Sequence, residues 1–341
     1  MSPFGGRIQG LRLERMHASP RFVDGAFMNT RPVAPGLKKG TALPTMTGPL
    51  VKPAADKLLR ALTQLDKGES WLVEPRRLDG AGNLWAPGVK LGVRPGSFFH
   101  LTECFGPVLG IMRARDLDDA LALQNAPEFG LTGGLHSLDP DEIAHWRDRV
   151  EVGNVYVNRH TTGAIVRRQP FGGWKHSAVG PGAKTGGPHD VLRFVRYEGC
   201  TADPAGSYEQ WWQSRFRDPH DDSGLRAERN ELRHRALPKV LVCGDAPQVD
   251  LVTAAARLTG TPFEVVAADD QLAARVARSG ATRLRTFAPV AGAVARACHA
   301  ANIVIDDTPA TGHGLVELAR WTREQAISTT LHRHGRVPEA G

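Results

Sequence analysis

Residues 130–158, GLTGGLHSLDPDEIAHWRDRVEVGNVYVN, decide the fold class. A short apolar run, LTGGLHS, comes before a helix predicted from about Asp141 to Val150, which Ser137 or Asp139 would cap. Asp139 followed by Pro140 is typical of a helix start, because the Asp side chain accepts a backbone N–H and Pro has none to satisfy. The alternating Val and Tyr of VGNVYVN then predict a strand. This order of strand, helix and strand predicts an α/β fold with a mostly parallel sheet.

The residues before 130 also alternate between predicted helices and strands. Leucines repeat on one face of the segment Ala54–Leu65 and predict a helix, and SWLVEP then predicts a short strand. Further strands are predicted from Phe98 to Cys104 and from Val108 to Met112. An Asp-rich helix start follows at Asp116.

The residues after this unit predict a second α/β region. The apolar runs KVLVCGD, PFEVVAADD, TRLRTF and ANIVIDD predict four strands. Helical patterns separate or follow them, near Val249–Thr259, Gln271–Ser279, Val290–Ala300 and Leu315–Ile327. The result is a small Rossmann-like domain. Its first strand is followed by one glycine, in VCGDAPQV, whereas a dinucleotide-binding turn needs three, so we expect no cofactor there.

Breaks in composition divide the chain. A polar connector begins after the Gly-rich stretch, and its Trp211, Trp212 and Phe216 are expected to pack against a neighbouring domain. The predicted parts are an irregular N-terminal segment, a first α/β domain with a Gly-rich loop at 171–188, the connector, the Rossmann-like domain and a tail, at residues 1–45, 46–199, 200–238, 239–330 and 331–341.

Composition excludes several classes of protein. The chain has 341 residues, of which 41% are hydrophobic and 23% charged, which is typical of a globular protein and not of a disordered one. No apolar run reaches membrane-span length and the N-terminus lacks a secretory pattern, so a cytoplasmic location is expected. The net charge is +7, but the basic residues are scattered among acids, so no nucleic-acid partner is predicted. The four cysteines are far apart, which argues against disulfides and zinc knuckles.

Several motifs occur in a fixed order along the chain. Glu103-Cys104-Phe105-Gly106-Pro107 lies in LTECFGPVLGIMRA, and the Gly-rich GAIVRRQPFGGWKHSAVGPGAKTGGP follows some sixty residues later. With TGPL, LLRALTQLDKGESWLVEPRRLD, GVRPGS and GNVYVN they resemble the aldehyde dehydrogenase superfamily, and within it the L-glutamate γ-semialdehyde (delta-1-pyrroline-5-carboxylate) dehydrogenases of the proline utilization A type. GLRAERNELRHRALP and ISTTLHRHGR resemble the extra C-terminal domain of those proteins.

The resemblance implies that residues 46–199 are the C-terminal part of an aldehyde dehydrogenase catalytic domain. It also implies a cofactor, a substrate and the residues that contact them. The cofactor would be NAD, with the Glu103 carboxylate accepting hydrogen bonds from the nicotinamide ribose and Phe105 packing beside it. Ser177 and Ala178 would lie in the loop that holds the substrate α-carboxylate, where a hydroxyl and backbone N–H groups are suitable donors. Phe171 would line the substrate tunnel.

Each of these residues also has a purely structural interpretation. Glu103 could cap the turn that follows it, and Phe171 could be an ordinary core aromatic. Ser177 with His176 and His189 could be drawn as a hydrolase site, but the G-x-S-x-G motif is absent. His332 and His334 are poorly spaced as ligands, so the sequence predicts no metal site.

The catalytic nucleophile of the superfamily has no counterpart in the sequence. The resemblance implies a cysteine in a G-Q-x-C motif that attacks the aldehyde, and no such motif is present. Cys104 lies inside the ribose motif, and Cys200, Cys243 and Cys298 lie outside the matched segment. We therefore assign no catalytic residue and expect the isolated chain to be inactive.

Three hypotheses remain open from sequence alone. The first is a truncated or split NAD-dependent dehydrogenase that would oxidise L-glutamate γ-semialdehyde to L-glutamate in proline catabolism if completed. The second is a non-catalytic interaction or lid module that assembles with a full-length or N-terminal dehydrogenase chain. The third is the product of a degenerated gene.

Overall fold

A computed structural model describes residues 54–161, 165, 168–178, 180, 182–194 and 203–332. These residues form two compact units. The first consists of the described residues up to Glu128 together with Gly134–Val150, and the second consists of Phe129–Gly133 together with the described residues from Glu151 onward. The predicted irregular segment 1–45 and nearly all of the predicted tail lie outside the described residues.

The first unit contains a three-stranded sheet and four helices. Strand β2 is central, pairing with β1 in antiparallel and with β3 in parallel orientation. The elements in chain order are α1 (Asp56–Thr63), β1 (Ser70–Val73), β2 (Gly88–Leu91), α2 (Phe98–Leu101), β3 (Val108–Ile111), α3 (Leu117–Asn125) and α4 (Pro140–Arg149).

Helix α1 supplies much of the apolar packing of this unit. Leu58, Ala61 and Leu62 recur at helical spacing and are buried, and they pack with Trp85 and Cys104. The predicted helix is thus confirmed, with the shorter range Asp56–Thr63. Burial of this apolar face stabilises the helix, which at eight residues is too short to be stable alone.

The strand predicted from Phe98 to Cys104 is wrong. Ser97 caps a short helix there, because its hydroxyl accepts the backbone N–H of His100 at 3.4 Å. Local capping of this kind favours a helical turn over an extended chain. The helix starts at Asp116 and Asp139 are confirmed, since each side chain accepts a backbone N–H in the first turn of its helix.

The second unit contains two four-stranded sheets. Its N-terminal elements are β4 (Phe129–Gly130), β5 (Thr132–Leu135), β6 (Asn154–Val157), β7 (Trp174–Lys175), a 3₁₀ turn (Asp190–Arg193), α5 (Pro204–Trp211), a π turn (Trp212–Phe216) and β8 (Glu228–Ala236). Only the first two residues of β5 belong to this unit. Its C-terminal elements are β9 (Val240–Cys243), α6 (Ala246–Thr259), β10 (Phe263–Val265), α7 (Leu272–Arg278), β11 (Arg283–Thr286), α8 (Gly292–Ala300), β12 (Val304–Asp306), α9 (Gly314–Trp321) and β13 (Thr322–Thr330).

The first of these sheets is parallel, with strand order β10-β9-β11-β12. All four predicted strands and the helices between them are confirmed, with boundaries shifted by a few residues. Strand β9 is apolar and entirely buried, as expected for a strand covered on both faces. Helix α6 ends at Gly260, whose φ of +70° suits glycine and allows its N–H to bond the last turn.

The second sheet is mixed, with strand order β5-β6-β13-β8. Strand β13 pairs in parallel with β6 and in antiparallel with β8 over nine residues. It also corrects one prediction, because the helix expected from Leu315 to Ile327 ends at Trp321 and the following residues are extended. The long ladder with β8 overrides the helical pattern, and β8 itself lies in the predicted connector.

The predicted packing of the connector is confirmed. Phe216 is buried, and Trp211 and Trp212 are partly buried against the same apolar cluster, which includes Val252 and Trp321. The described residues from 203 onward therefore belong to one compact unit with the parallel sheet.

Candidate functional site

Glu103 and Phe105 lie on the loop between α2 and β3 of the first unit. Both are exposed, and Phe105 keeps 69% of its surface accessible with a φ of +52°. The ammonium of Lys57 lies 4.8 Å from the Phe105 ring centroid. A carboxylate and an aromatic ring two residues apart in the sequence are thus both accessible at the surface of this unit.

Contacts with α1 and β2 hold the turn that carries Glu103 and Phe105. Gly106 has no room for a side chain, because a Cβ there would lie 2.2 Å from Cδ1 of Leu58. The carbonyl oxygen of Pro107 accepts the N–H of Gly88 at 2.9 Å, which ties the turn to strand β2. The backbone of the E-C-F-G-P motif is therefore held by α1 and β2, while its acid and its ring remain accessible.

The described cysteines do not have the environment of a nucleophile. Cys104, Cys243 and Cys298 are buried, and burial raises the pKa of each thiol. A nucleophilic cysteine instead needs a lowered pKa and access to substrate. Cys200 lies outside the described residues.

Phe171 lies at the start of the Gly-rich loop in the second unit. Its backbone N–H donates to the Thr185 carbonyl at 3.0 Å, and the N–H of Thr185 donates back at 2.9 Å. The Phe171 side chain is 38% exposed, so it is not an ordinary core aromatic. This antiparallel bridge closes the loop at its base.

Ser177 and Ala178 lie on a tight turn inside the loop. Their N–H groups donate to the carbonyl oxygens of Trp174 and Lys175, at 3.0 and 3.2 Å. The Ser177 hydroxyl accepts the N–H of Gly130 at 3.2 Å, which leaves its own hydrogen to donate. The hydroxyl is therefore a donor that a carboxylate could use, while both N–H groups are engaged within the turn.

Glu324 of β13 holds both flanks of the loop. Its backbone carbonyl accepts the indole N–H of Trp174 at 2.8 Å. Its carboxylate accepts the N–H of Lys184 at 2.6 Å and lies 2.6 Å from Nδ1 of His189. Burial alone would raise the pKa of Glu324, but the hydrogen bond and charge of His189 hold it below its usual range. The carboxylate form is thus stabilised at the base of the loop.

Lys184 adds a second attachment on the other side of the loop base. Its ammonium donates to the Asn154 side chain at 3.1 Å and to the carbonyl oxygen of Gly172. Burial lowers the pKa of Lys184 to about 7, although the charge of Glu324 opposes the shift. Asn154 also bonds both Pro170 and Gly172, so strand β6 fixes the start of the loop.

Sequence reasoning missed this buried cluster. His189, His234 and Glu324 are separated by 45 or more residues, and no spacing rule connects them. Burial, together with the charge of His189, lowers the pKa of His234 to about 3, so its ring is neutral. The one available signal was the polar composition of β8 and β13, two segments for which the sequence predicts a connector and the end of a helix.

The alternative hydrolase arrangement gains no support from the contacts of its histidines. The exposed His176 ring packs edge-on to Phe129, with centroids 5.8 Å apart. The buried His189 ring is hydrogen-bonded to Glu324.

Within the described residues, no helix has the length and apolar character needed to cross a membrane.

Comparison with known proteins agrees with the motifs. The family model "Aldehyde dehydrogenase family" matches residues 22–198. A 1-pyrroline-5-carboxylate dehydrogenase of Geobacillus kaustophilus is 38% identical over 153 residues, and that of Bacillus subtilis is 37% identical over the same length. Each match covers 45% of this chain and 29% of the relative.

One solved structure matches most of the chain. Proline Utilization A (PutA) from Corynebacterium freiburgense aligns with 87% of this chain at 40% identity and a TM-score of 0.77, and the match covers 33% of that protein. The similarity therefore includes the Rossmann-like part as well as the segment that the family model matches. On these findings, the chain belongs to the aldehyde dehydrogenase family.

Proposed function

We propose that this chain supplies the carboxylate-binding loop and part of the cofactor site of an NAD-dependent 1-pyrroline-5-carboxylate dehydrogenase. The reaction oxidises L-glutamate γ-semialdehyde to L-glutamate in proline catabolism. The identities of 37–40% with relatives of that name and with a proline utilization A protein support this assignment.

The observation that carries the proposal is the fixed position of the Ser177 hydroxyl. The oxygen accepts the N–H of Gly130, and the turn is closed by its own backbone bonds. Gly173 packs against it so closely that a Cβ there would lie 2.3 Å from Cβ of Ser177. The hydroxyl hydrogen is thus presented by a preorganised turn, which reduces the entropic cost of binding a substrate carboxylate. Ala178 follows without a polar side chain that could compete.

The first unit contributes to NAD binding through Glu103 and Phe105. An ionised carboxylate only accepts hydrogen bonds, which suits the two hydroxyl groups of a ribose. The exposed Phe105 ring offers an apolar face beside it. When bound, NAD supplies the hydride acceptor, and these two residues orient its nicotinamide half.

The nucleophile of the reaction has to come from another polypeptide segment. The 341 residues contain no G-Q-x-C motif, and the described thiols are buried. The chain by itself therefore binds ligands without turning them over. Val191 and Phe194, three residues apart with 66% and 81% of their surfaces exposed, favour a second role as a module that docks on a dehydrogenase chain.

Two measurements test the proposal. The purified chain, given NAD and pyrroline-5-carboxylate, is expected to produce no NADH absorbance above the blank. Turnover would contradict the missing-nucleophile argument and would require a catalytic thiol among the four cysteines.

The second measurement follows L-glutamate, which carries the same α-carboxylate, by ¹⁵N NMR. We expect saturable shifts of the amides at 176–178, with a Kd on the order of 1 mM. Ser177→Ala is expected to abolish them, whereas Ser214→Ala, an exposed serine of the same unit, leaves them unchanged. Equal shifts in Ser177→Ala, or none in the wild type, would overturn the assignment of this loop.

A further inference from the structure

Two imidazoles and one carboxylate meet inside the second unit. They are contributed by His189 after the Gly-rich loop, His234 of β8 and Glu324 of β13. Each side chain has 6% or less of its surface exposed. The proposed dehydrogenase site uses none of them to contact substrate or cofactor.

Three electron-pair donors converge on one small space. Nδ1 of His189 lies 2.6 Å from Oε1 of Glu324 and 3.4 Å from Nε2 of His234, and the latter lies 4.0 Å from the same Glu324 oxygen. An N–H at Nδ1 of His189 can donate one good hydrogen bond, either to Glu324 or to His234. A divalent cation in that position would interact with all three donors at once.

The spacing is compatible with a tetrahedral metal ion. The three separations average about 3.3 Å, which is the spacing of ligand atoms that lie about 2.0 Å from a tetrahedral zinc ion. Binding would open the shortest separation and close the longest one, within the reach of small side-chain rotations. Two imidazole nitrogens with one carboxylate oxygen favour zinc or a similar transition metal over Mg²⁺ and Ca²⁺, which prefer oxygen ligands.

The surroundings resemble the outer shell of a metal centre. The second carboxylate oxygen of Glu324 accepts the N–H of Lys184, which fixes the orientation of the carboxylate. The Phe216 ring stacks on His189 with centroids 5.3 Å apart and lies 4.3 Å from the His234 ring. This aromatic cover makes the surroundings less polar, which strengthens the attraction between a cation and the carboxylate.

We propose that His189, His234 and Glu324 bind one divalent transition-metal ion, such as Zn²⁺, through Nδ1, Nε2 and Oε1 respectively. The ion takes the place of the proton on Nδ1 of His189, whose ring then binds as a neutral imidazole protonated on Nε2, and a water can occupy the fourth position. It joins the end of the Gly-rich loop to strands β8 and β13. Because the cluster is buried, the ion enters during folding, as in other structural sites. The proposal does not depend on the dehydrogenase assignment.

Metal content tests the proposal directly. The chain is unfolded, freed of metal with a chelator, refolded with Zn²⁺ and dialysed, and zinc is then measured by mass spectrometry. We expect one equivalent per chain for the wild type and for His299→Gln, which removes an exposed histidine of the same unit. His189→Gln and His234→Gln are each expected to lose at least tenfold in zinc affinity.

Cobalt provides a readout on the wild-type chain, which remains informative if the variants fail to fold. Refolding with Co²⁺ is expected to give visible d–d absorption, and Zn²⁺ is expected to shift the ¹⁵N signals of the His189 and His234 rings. Wild-type protein that retains no zinc and shows no cobalt absorption would overturn the proposal. Equal zinc retention in both histidine variants would overturn it as well.

Discussion

The two units differ in the size of their apolar cores. In the first unit, the cluster around Leu62 joins Leu58, Ala61, Trp85 and Cys104. In the second unit, one cluster around Val252 and another around Leu284 each contain at least ten buried residues. The second unit therefore buries more apolar surface around its parallel sheet, and each buried methylene contributes to stability.

The first unit contains a cleft of about 240 Å³, lined largely by apolar side chains of β3, α3 and α4. Large apolar side chains are exposed in both units, among them Leu59 and Phe105 in the first and Val191 and Phe194 in the second. We infer that the proposed nucleotide-contacting residues are carried by a unit with a small apolar cluster around Leu62, whereas the proposed carboxylate loop belongs to a unit with two larger clusters. Four measurements test this difference between the units.

Removing a buried charge from the second unit should have the largest effect. The Arg285 guanidinium lies between the carboxylates of Asp306, 3.5 Å away, and Glu317, 3.4 Å away, with all three side chains nearly inaccessible. Arg285→Ala leaves the buried Glu317 carboxylate without its cation and Asp306 with only the longer contact to Arg320, at 3.9 Å. We expect a loss of about 3 to 5 kcal/mol in the free energy of unfolding. Urea unfolding checks this value.

The exposed Arg278 of α7 provides the matched control for Arg285. Arg278→Ala is expected to change stability by less than about 0.5 kcal/mol, because surface substitutions usually have small effects. A loss below about 1 kcal/mol in Arg285→Ala would mean that this part of the second unit is less tightly packed than its burial indicates.

A core truncation in the first unit should have a smaller effect. Leu62 is 2% exposed and packs against Leu58 and Trp85. Leu62→Ala is expected to cost about 2 to 3 kcal/mol, the low end of the range for this substitution, because the surrounding cluster is small. Hydrogen exchange should accelerate in α1 and β2 and remain unchanged in β9 and β11. Equal acceleration in both units would show that they unfold together.

The apolar parts of the fold could be predicted from the sequence, whereas the polar parts could not. Strand β9 and helix α6 follow from a continuous apolar run and from a helix ended by glycine, and α4 follows from Asp139 and Pro140. Strand β13 buries Gln325 and Ser328, whose partners lie more than 90 residues away, so its local pattern carries no sign of its position.

The candidate site divides in the same way. Glu103 and Ser177 could be singled out because each lies in a short motif that is continuous in the sequence. Lys184, His189 and Glu324 meet only through tertiary folding, and their burial depends on the sheet that joins β6, β13 and β8. Polar residues that hydrogen-bond to partners far away in the sequence produce no local periodicity that could be recognised.

Thiol labelling compares the two units within one molecule. Burial raises the pKa of both Cys104 in the first unit and Cys243 in the second, so near neutral pH each reacts mainly after local opening. In the opened state a thiol regains its ordinary pKa, and both labelling rates should rise with pH through that range. We expect Cys104 to react on the order of ten times faster, an opening difference of about 1.4 kcal/mol.

The labelling experiment uses a background in which Cys200 and Cys298 are replaced by serine and alanine respectively. Labelled peptides are quantified by mass spectrometry, and labelling in urea gives the rate of each unfolded thiol. Equal protection of Cys104 and Cys243 would contradict the difference in packing between the units.

The smallest predicted effect concerns the cap of helix α4 in the first unit. The Asp139 side chain accepts the N–H groups of Asp141 and Glu142, at 2.9 and 3.4 Å. Asp139→Ala leaves these donors to water and also removes a negative charge from the positive end of the helix dipole, for a cost of about 1 kcal/mol. Asp139→Asn retains an accepting oxygen and should recover most of the loss. If the units unfold separately, hydrogen exchange in Asp139→Ala rises in α3 and α4, while the second unit keeps its wild-type protection. A rise in β9 or β13 would instead mean that a weak local cap is coupled to the dense core, because one cooperative transition then includes both units.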